Sequence, residues 1–452
     1  MTKWAKILDS IPDKESKEVV IHDFFIKPLI EELGFGKYEC SPQFATGDST
    51  EKVDFAARKN TGDDIFFHSQ NNPYLVVEVK ARATKTGNRI NLSEGTPQHR
   101  QVVAQIRRYL RAPNCQTAQW GIITNATHIQ LFRKHGGVVH PVTTSVLIKE
   151  NNINQTISYI KQLIQNTPKA LTVCVYNNKG GVGKTTTVIN LAAVLRLKNK
   201  KILLVDFDSQ GDLTKSLKIK ENNLFNCLID KKVELRSTIT PYFVKDKKKK
   251  NVHIFDVIPS DKRMEEYTDT GNAARIENKS SRLRDLLNVF INDYDYIFID
   301  CPTQWLFFSQ SGVYASDAVL IPTRHNDLNS LHNAARVIKN FIPEINKQRR
   351  EKNEKDGGTI ALPIFFNGET PSDSQIETTN KEIQKIIDES KSEFDLAPYY
   401  WPKFGKGNEN KSIFKVLKYA EIAGATFEGI PAVYRNIKVK DYYEQLAKEY
   451  FL

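Results

Sequence analysis

A chain of 452 residues is too long for one ordinary core and, at roughly 150 residues per domain, calls for two or three units; two are expected here. With 40% hydrophobic and 26% charged residues it is no disordered polymer, and no run approaches the roughly 18 apolar residues of a membrane helix. The start "MTKWAKILDSIPDKESKE" lacks the apolar segment of a secretory signal, so a cytoplasmic protein is expected. Five cysteines, Cys40, Cys115, Cys174, Cys227 and Cys301, show no paired spacing, which argues against a disulfide framework or a zinc site. A formal charge of +12 suits a polyanionic partner. The run "KDKKKK" at Lys245 to Lys250 reads as a solvated loop before it reads as a clamp.

The first 148 residues open with "KEVVIHDFFIKPLIEELGFG", whose apolar positions recur every three or four residues until Gly34 and Gly36 end the helix. Strand-like segments follow in "KVDFAAR", "PYLVVEVKA", "AQWGIITN" and "HIQLFRK". Between the second and third lies a polar helix, "TPQHRQVVAQIRRYLRA", started by Thr96 and Pro97. Together these predict a compact α/β unit with a mixed sheet. Residues 149–169 hold a candidate linker helix that breaks at Pro168, and residues 170–452 form the second unit. There, "LTVCVYN", "KILLVDFD", "HIFDVIPS", "YDYIFIDCP", "AVLIPTR" and "IALPIFFNG" alternate with helices. Such continuous apolar strands predict a mostly parallel sheet covered by helices on both faces.

After the first of these strands, "YNNKGGVGKTTTVIN" places a glycine turn before a helix, where backbone N–H groups and a helix N-terminus can surround a phosphate. Lys184 is placed to reach the β- and γ-phosphates and Thr185 to ligate Mg²⁺. Asn178 stands where the strict spacing has its first glycine, and Asn tolerates the left-handed backbone better than most residues.

In order, "KGGVGKTT", "LLVDFDSQGDLT" and "YDYIFIDCPT" resemble the deviant Walker A motifs of ParA-type partition ATPases, and the resemblance covers residues 170–452. It implies ATP held by Lys179, Gly180, Gly181, Val182, Gly183, Lys184, Thr185 and Thr186, with Asn367 of "FFNG" matching an adenine contact. Lys179 matches the signature lysine that crosses to the partner's nucleotide, so ATP closes a homodimer. Asp208 matches the residue that positions the attacking water, and Asp206 and Asp300 match carboxylates near Mg²⁺. The lesser reading of Asp206 by itself is a strand-end carboxylate capping a turn. The family uses its ATP dimer on DNA or on membranes. The C-terminal "DYYEQLAKEYFL" is short and carries acidic residues, unlike an amphipathic membrane helix, so of the two the resemblance points to DNA as the expected partner.

In the first unit, Asp54 lies on one strand and Glu78 and Lys80 on one face of the next. Two carboxylates with a lysine are what metal-dependent phosphodiester cleavage needs, with Asp54 and Glu78 holding Mg²⁺ and Lys80 orienting water. An E-x-K alone is more often a solvated strand face. With Glu18 before "FFIKPLIEELGF", and Gln105 and Tyr109 one turn apart, the set resembles the N-terminal nuclease domain of type I restriction motor subunits, a PD-(D/E)xK fold. The resemblance implies that Glu18 approaches the metal, Mg²⁺ or Mn²⁺, and that Gln105 and Tyr109 flank Lys80 and the DNA. Val53 departs from the proline often found before the first aspartate. Arg107, Arg108 and Arg111 are candidate phosphate contacts or a plain exposed face. His22 and His68 read as ordinary surface or packing residues rather than ligands.

Two functions remain open. One is an ATP-gated DNA endonuclease in prokaryotic defence. The other is a DNA-positioning ATPase whose front domain is an inactive binding module.

Overall fold

The computed structural model describes residues 2–245, 248–267, 279–368, 370–403, 409–417, 422 and 428–452. Two compact units divide them: Met1–Thr167 with Lys352–Gly358, and Pro168–Glu351 with Thr359–Leu452.

The front unit is built on a mixed sheet. Its strands are β1 (Cys40–Ala45), β2 (Lys52–Ala57), β3 (Leu75–Val79), β4 (Trp120–Thr124), β5 (His128–His135), β6 (Val138–Pro141) and β7 (Val146–Leu147). They lie in the order β1-β2-β3-β4-β5-β6, with β7 also on β5. Only β3 and β4 pair in parallel. A parallel neighbour demands a crossover, and the helix Pro97–Arg111 supplies it. Thr96 caps that helix, its Oγ1 accepting from the His99 N–H at 3.3 Å, and proline fills the first turn as expected.

The first long helix departs from a regular α-helix. Glu18–Ile21 passes into a π-helical turn, His22–Ile26, before Lys27–Glu32 resumes the α form. The expected linker helix, Ile153–Gln165, belongs to the front unit. Its Ile153, Ile157, Ile160 and Ile164 form a stripe at helical spacing, and that stripe is buried with Phe25, Leu29 and Trp120. Segment Lys352–Gly358 joins the front unit through an antiparallel bridge between Thr143 and Asp356 and a Gly357 N–H to Val142 carbonyl bond of 3.1 Å.

The rear unit contains β8 (Leu171–Val175), β9 (Ile202–Asp206), β10 (Thr240–Lys245), β11 (Asn251–Ile258), β12 (Tyr296–Asp300), β13 (Ala318–Leu320), β14 (Pro322–Thr323), β15 (Ile360–Ala361), β16 (Phe365–Gly368) and β17 (Lys415–Leu417). The main sheet runs β10-β11-β9-β12-β8-β13-β15, and β14-β16-β17 form a second one. Among the described residues all of these pairs are parallel except β10–β11. Every residue of β8, β9 and β12 is buried, as strands covered on both faces require.

"AVLIPTR" and "IALPIFFNG", each read as one strand, split between the two sheets. Pro363, which cannot donate to a ladder, stands between the halves of the second. The lysine run falls on the tip of the β10–β11 hairpin, where Lys248, Lys249 and Lys250 are exposed and residues 246 and 247 lie outside the described set. Among the described residues, no helix is long and apolar enough to cross a membrane.

Candidate functional sites

The rear site follows from strand register. β12 lies between β8 and β9, which sets Asp300 beside Val175 on one side and Asp206 on the other, at the carboxyl ends of three parallel strands. In open α/β sheets that edge is where ligands bind. The chain leaves β8 through Tyr176–Gly183 and enters the helix Lys184–Leu197. Gly181 and Gly183 take left-handed φ angles of +74° and +85°. Asn178 does not share this conformation, so its place in the loop needs no left-handed residue.

Lys184 Nζ donates to Thr303 Oγ1 at 3.0 Å and to the Lys179 carbonyl at 3.3 Å. Burial lowers its pKa, against the charges of Asp300 and Asp208. Thr185 Oγ1 donates to Asp300 Oδ2 at 2.6 Å. Asp300 Oδ1 is buried and has no partner. Burial and then the neighbouring Asp206 push the Asp300 carboxyl up to about 8. A buried, crowded and half-satisfied carboxylate beside a threonine hydroxyl fits a Mg²⁺ site.

Asp206 is more fully engaged. Its Oδ2 accepts from the Thr214 N–H at 2.8 Å and Thr214 Oγ1 at 2.6 Å, while Oδ1 faces the Asp208 N–H at 3.4 Å. The turn-capping reading describes this geometry. Burial raises Asp206 to about 6 despite the Thr214 bonds. Asp208 lines a cavity of about 630 Å³ together with Gly180, Gly181, Gly183, Lys184 and Thr185. Thr186, in the same first turn, also lines it, and Val182 is buried beneath.

Asn367 sits at the end of β16 with its Nδ2 turned to the glycine loop, 3.1 Å from the Val182 carbonyl and 3.3 Å from Thr187 Oγ1. It braces the loop from below. Lys179 Nζ lies 3.4 Å from Asp327 Oδ2. Thr303 and Asp327 escaped the sequence reading. Thr303 had a signal, three residues past Asp300 in "DCPT", whereas Asp327 reaches the loop only through the fold.

The front site also forms at strand ends. Phe55 pairs with Val77, so the next step of the β2–β3 register brings Asp54 level with Glu78. Asp54 Oδ2 accepts from the Val79 N–H at 2.7 Å and Oδ1 from Gln43 Nε2 at 3.2 Å. Lys80 Nζ donates to Glu78 Oε1, so the two share a face as strand alternation predicts. Burial, then the charge of Asp54, lifts Glu78 to about 7 against the pull of Lys80, and Glu18 adds to the rise. Burial lowers the Lys80 pKa, but Glu78, Glu18 and Asp54 outweigh it and hold the ammonium charged.

Gln105 Nε2 donates to Tyr109 Oη at 2.7 Å, and Tyr109 feels the charge of Glu78. The structure thus gathers Asp54, Glu78, Lys80, Glu18 and Tyr109 in one electrostatic neighbourhood. Arg108 is spent on Glu51 and Arg111 on the Gly137 carbonyl. His22, read as a surface or packing residue, brings its Nε2 within 3.7 Å of Asp54 Oδ1. Among the described residues, no three His, Cys, Asp or Glu side chains are spaced to hold a metal ion as they stand.

Residues 170–355 match the AAA_31 family model, an AAA domain. The chain is 34% identical over 156 residues to the chromosome partitioning protein ParA of Myxococcus xanthus, covering 33% of this chain and 50% of that protein. It is 33% identical over 180 residues to the sporulation initiation inhibitor protein Soj of Bacillus subtilis, covering 38% of this chain and 66% of that protein. It therefore spans between half and two thirds of the length of these relatives. Among solved structures, a Cyanothece McdA–ATP complex is 20% identical at a TM-score of 0.46, covering 62% of this chain and 96% of that one. Residues 170–355, which lie in the rear unit apart from their last four, are thus similar to the P-loop ATPase domain of the ParA and Soj proteins.

Proposed function

We propose that this chain is an ATP-regulated, metal-dependent DNA endonuclease in which ATP-driven dimerisation of the rear unit governs the front unit, in prokaryotic defence against foreign DNA. The observation that carries the reading is the meeting of Asp54, Glu78 and Lys80 at adjacent strand ends, with Glu78 held near neutrality by burial and by Asp54. Perturbed carboxylates paired with a lysine mark functional sites more often than solvated faces do.

In the front unit, Asp54 and Glu78 would hold Mg²⁺ or Mn²⁺, with Glu18 near the metal. Lys80 orients water or steadies the charge that develops on the phosphate, and Gln105 and Tyr109 support it. In the rear unit, Lys184 takes the β- and γ-phosphates, Thr185 and Asp300 hold Mg²⁺, and Asp206 keeps the strand end and the turn to Asp208 in place. Asp208 positions the attacking water. When bound, the metal neutralises phosphate charge. Lys179 reaches a second copy's nucleotide, and a dimer lets two nuclease sites address two strands. Asn367 either contacts adenine or braces the loop.

A second reading is a DNA-positioning ATPase, in keeping with the partitioning names of the relatives, with an inactive front module. The Lys80–Glu78 ion pair favours it, since it engages a carboxylate that the nuclease reading assigns to metal.

The deciding experiment is cleavage of supercoiled and linear DNA with Mg²⁺ or Mn²⁺, with and without ATP, by wild type, Lys80→Ala and Lys184→Ala. Cleavage that needs Lys80 and shifts with ATP supports the first reading. ATP-dependent DNA binding without cleavage in any condition supports the second.

A further inference from the structure

Glu18 and His22 stand four residues apart at the junction where the α-helix becomes a π-helical turn. Residues so spaced share a helix face, and π turns frequently mark functional positions. The His22 ring packs edge-on against Phe55, 5.0 Å between centroids, and is thereby held beside Asp54 on the same strand.

Its Nε2 is buried with no hydrogen-bond partner. The 3.7 Å to Asp54 Oδ1 is too long for a hydrogen bond. It is short enough for one cation about 2.0–2.2 Å from each atom to span. An imidazole nitrogen orphaned in this way costs folding free energy unless something accepts its lone pair or proton.

We propose, resting on the nuclease reading of the front site, that His22 Nε2 is a third protein donor, with Asp54 and Glu78, to the divalent cation of that site. The nitrogen biases the site toward Mn²⁺ and similar transition ions over Mg²⁺, because imidazole suits transition metals and Mg²⁺ prefers oxygen. Glu78 shares its Oε1 with Lys80, so Asp54 and His22 are the pair already spaced for a cation.

The test uses the nucleotide-free full chain titrated with MnCl₂, with free Mn²⁺ followed by electron paramagnetic resonance and bound Mn²⁺ by electron spin echo modulation. The expected result is a bound Mn²⁺ that Glu78→Gln removes and that carries nitrogen-14 modulation. His22→Phe should lose the modulation and bind Mn²⁺ roughly tenfold or more weakly, with Mg²⁺ affinity much less changed. His22→Gln serves as a second variant, and thermal midpoints check that both fold. Bound Mn²⁺ that depends on Glu78 but shows no nitrogen modulation, or wild-type affinity in both His22 variants, overturns the assignment and leaves the metal site standing. Mn²⁺ binding indifferent to Glu78→Gln overturns the front site itself.

Discussion

Lys179 Nζ lies 3.4 Å from the carboxylate of Asp327 in its own chain, at the head of the helix Leu328–Arg336. If Lys179 crosses to a partner's nucleotide, it must leave Asp327 first, and the ion pair then opposes dimerisation. A partly exposed pair is worth about 0.2–1 kcal/mol. Asp327→Asn should therefore tighten the ATP-dependent dimer by about 1.4- to fivefold for each pair released, as read by sedimentation with ATP. An unchanged or weaker dimer would remove Asp327 as a latch.

Asp300 carries the second prediction. Its folded-state pKa is raised to about 8 by burial and Asp206. At low pH both folded and unfolded forms are protonated. As pH rises from about 4, only the unfolded form gains by ionising, so this group's stability is lost between about pH 4 and pH 8. Asp300→Asn keeps an acceptor for Thr185 and avoids that loss. In metal-free buffer it should match wild type near pH 4.5 and exceed it near pH 8 by on the order of 2–4 kcal/mol. Phosphate release from ATP should fall sharply. Urea unfolding at the two pH values and a phosphate assay check both halves.

The glycine loop admits no side chain at Gly183. Its φ is +85°, and an added Cβ would collide with Asn367 Nδ2. Gly183→Ala should lose ATP binding and destabilise the rear unit by about 1–3 kcal/mol. Adding Asn367→Ala removes the collision but not the backbone strain, so the double variant should recover only part of that stability. Full recovery in denaturant titrations would show that φ is not the constraint.

Burial, with the Lys415 charge second, lowers His325 to about 4, and its ring stacks on Phe366 with centroids 3.6 Å apart. The neutral form is the one that folds. Its contribution is complete above the unfolded pKa of about 6.5 and is lost as pH falls toward about 4. By pH 5 the cost is about 2 kcal/mol. His325→Phe should flatten the fall in thermal midpoint between pH 7.5 and pH 5, and an equally steep fall would assign the acid sensitivity elsewhere.

Segment Lys352–Gly358 leaves no room at Gly357, where a Cβ would press on the Pro141 carbonyl. That neighbour is backbone and cannot rotate away. Gly357→Ala should loosen the bridge to Thr143 and speed amide exchange in β6, while exchange in β8 and β9 stays as in wild type. Uniform acceleration throughout the chain would mean global destabilisation instead.

The sequence by itself determined what depends on local chemistry and strand period. "KGGVGKTT", "LLVDFD" and "YIFID" marked the glycine loop and two carboxylate-bearing strand ends because buried parallel strands read as continuous apolar runs. Alternation put Glu78 and Lys80 on one face, and their ion pair realises it. Only the tertiary structure decided what long-range packing brings together. The sequence marked residues 149–169 as a linker helix, and only packing shows that the isoleucine stripe of Ile153–Gln165 is buried in the front unit. Asp327 reaches Lys179 across 148 residues of sequence, and no local pattern encodes that distance. His22 looked like an ordinary surface or packing residue because a helix face is apolar or polar in sequence. Whether its ring nitrogen meets a carboxylate depends on how the π turn aims it toward the neighbouring strand.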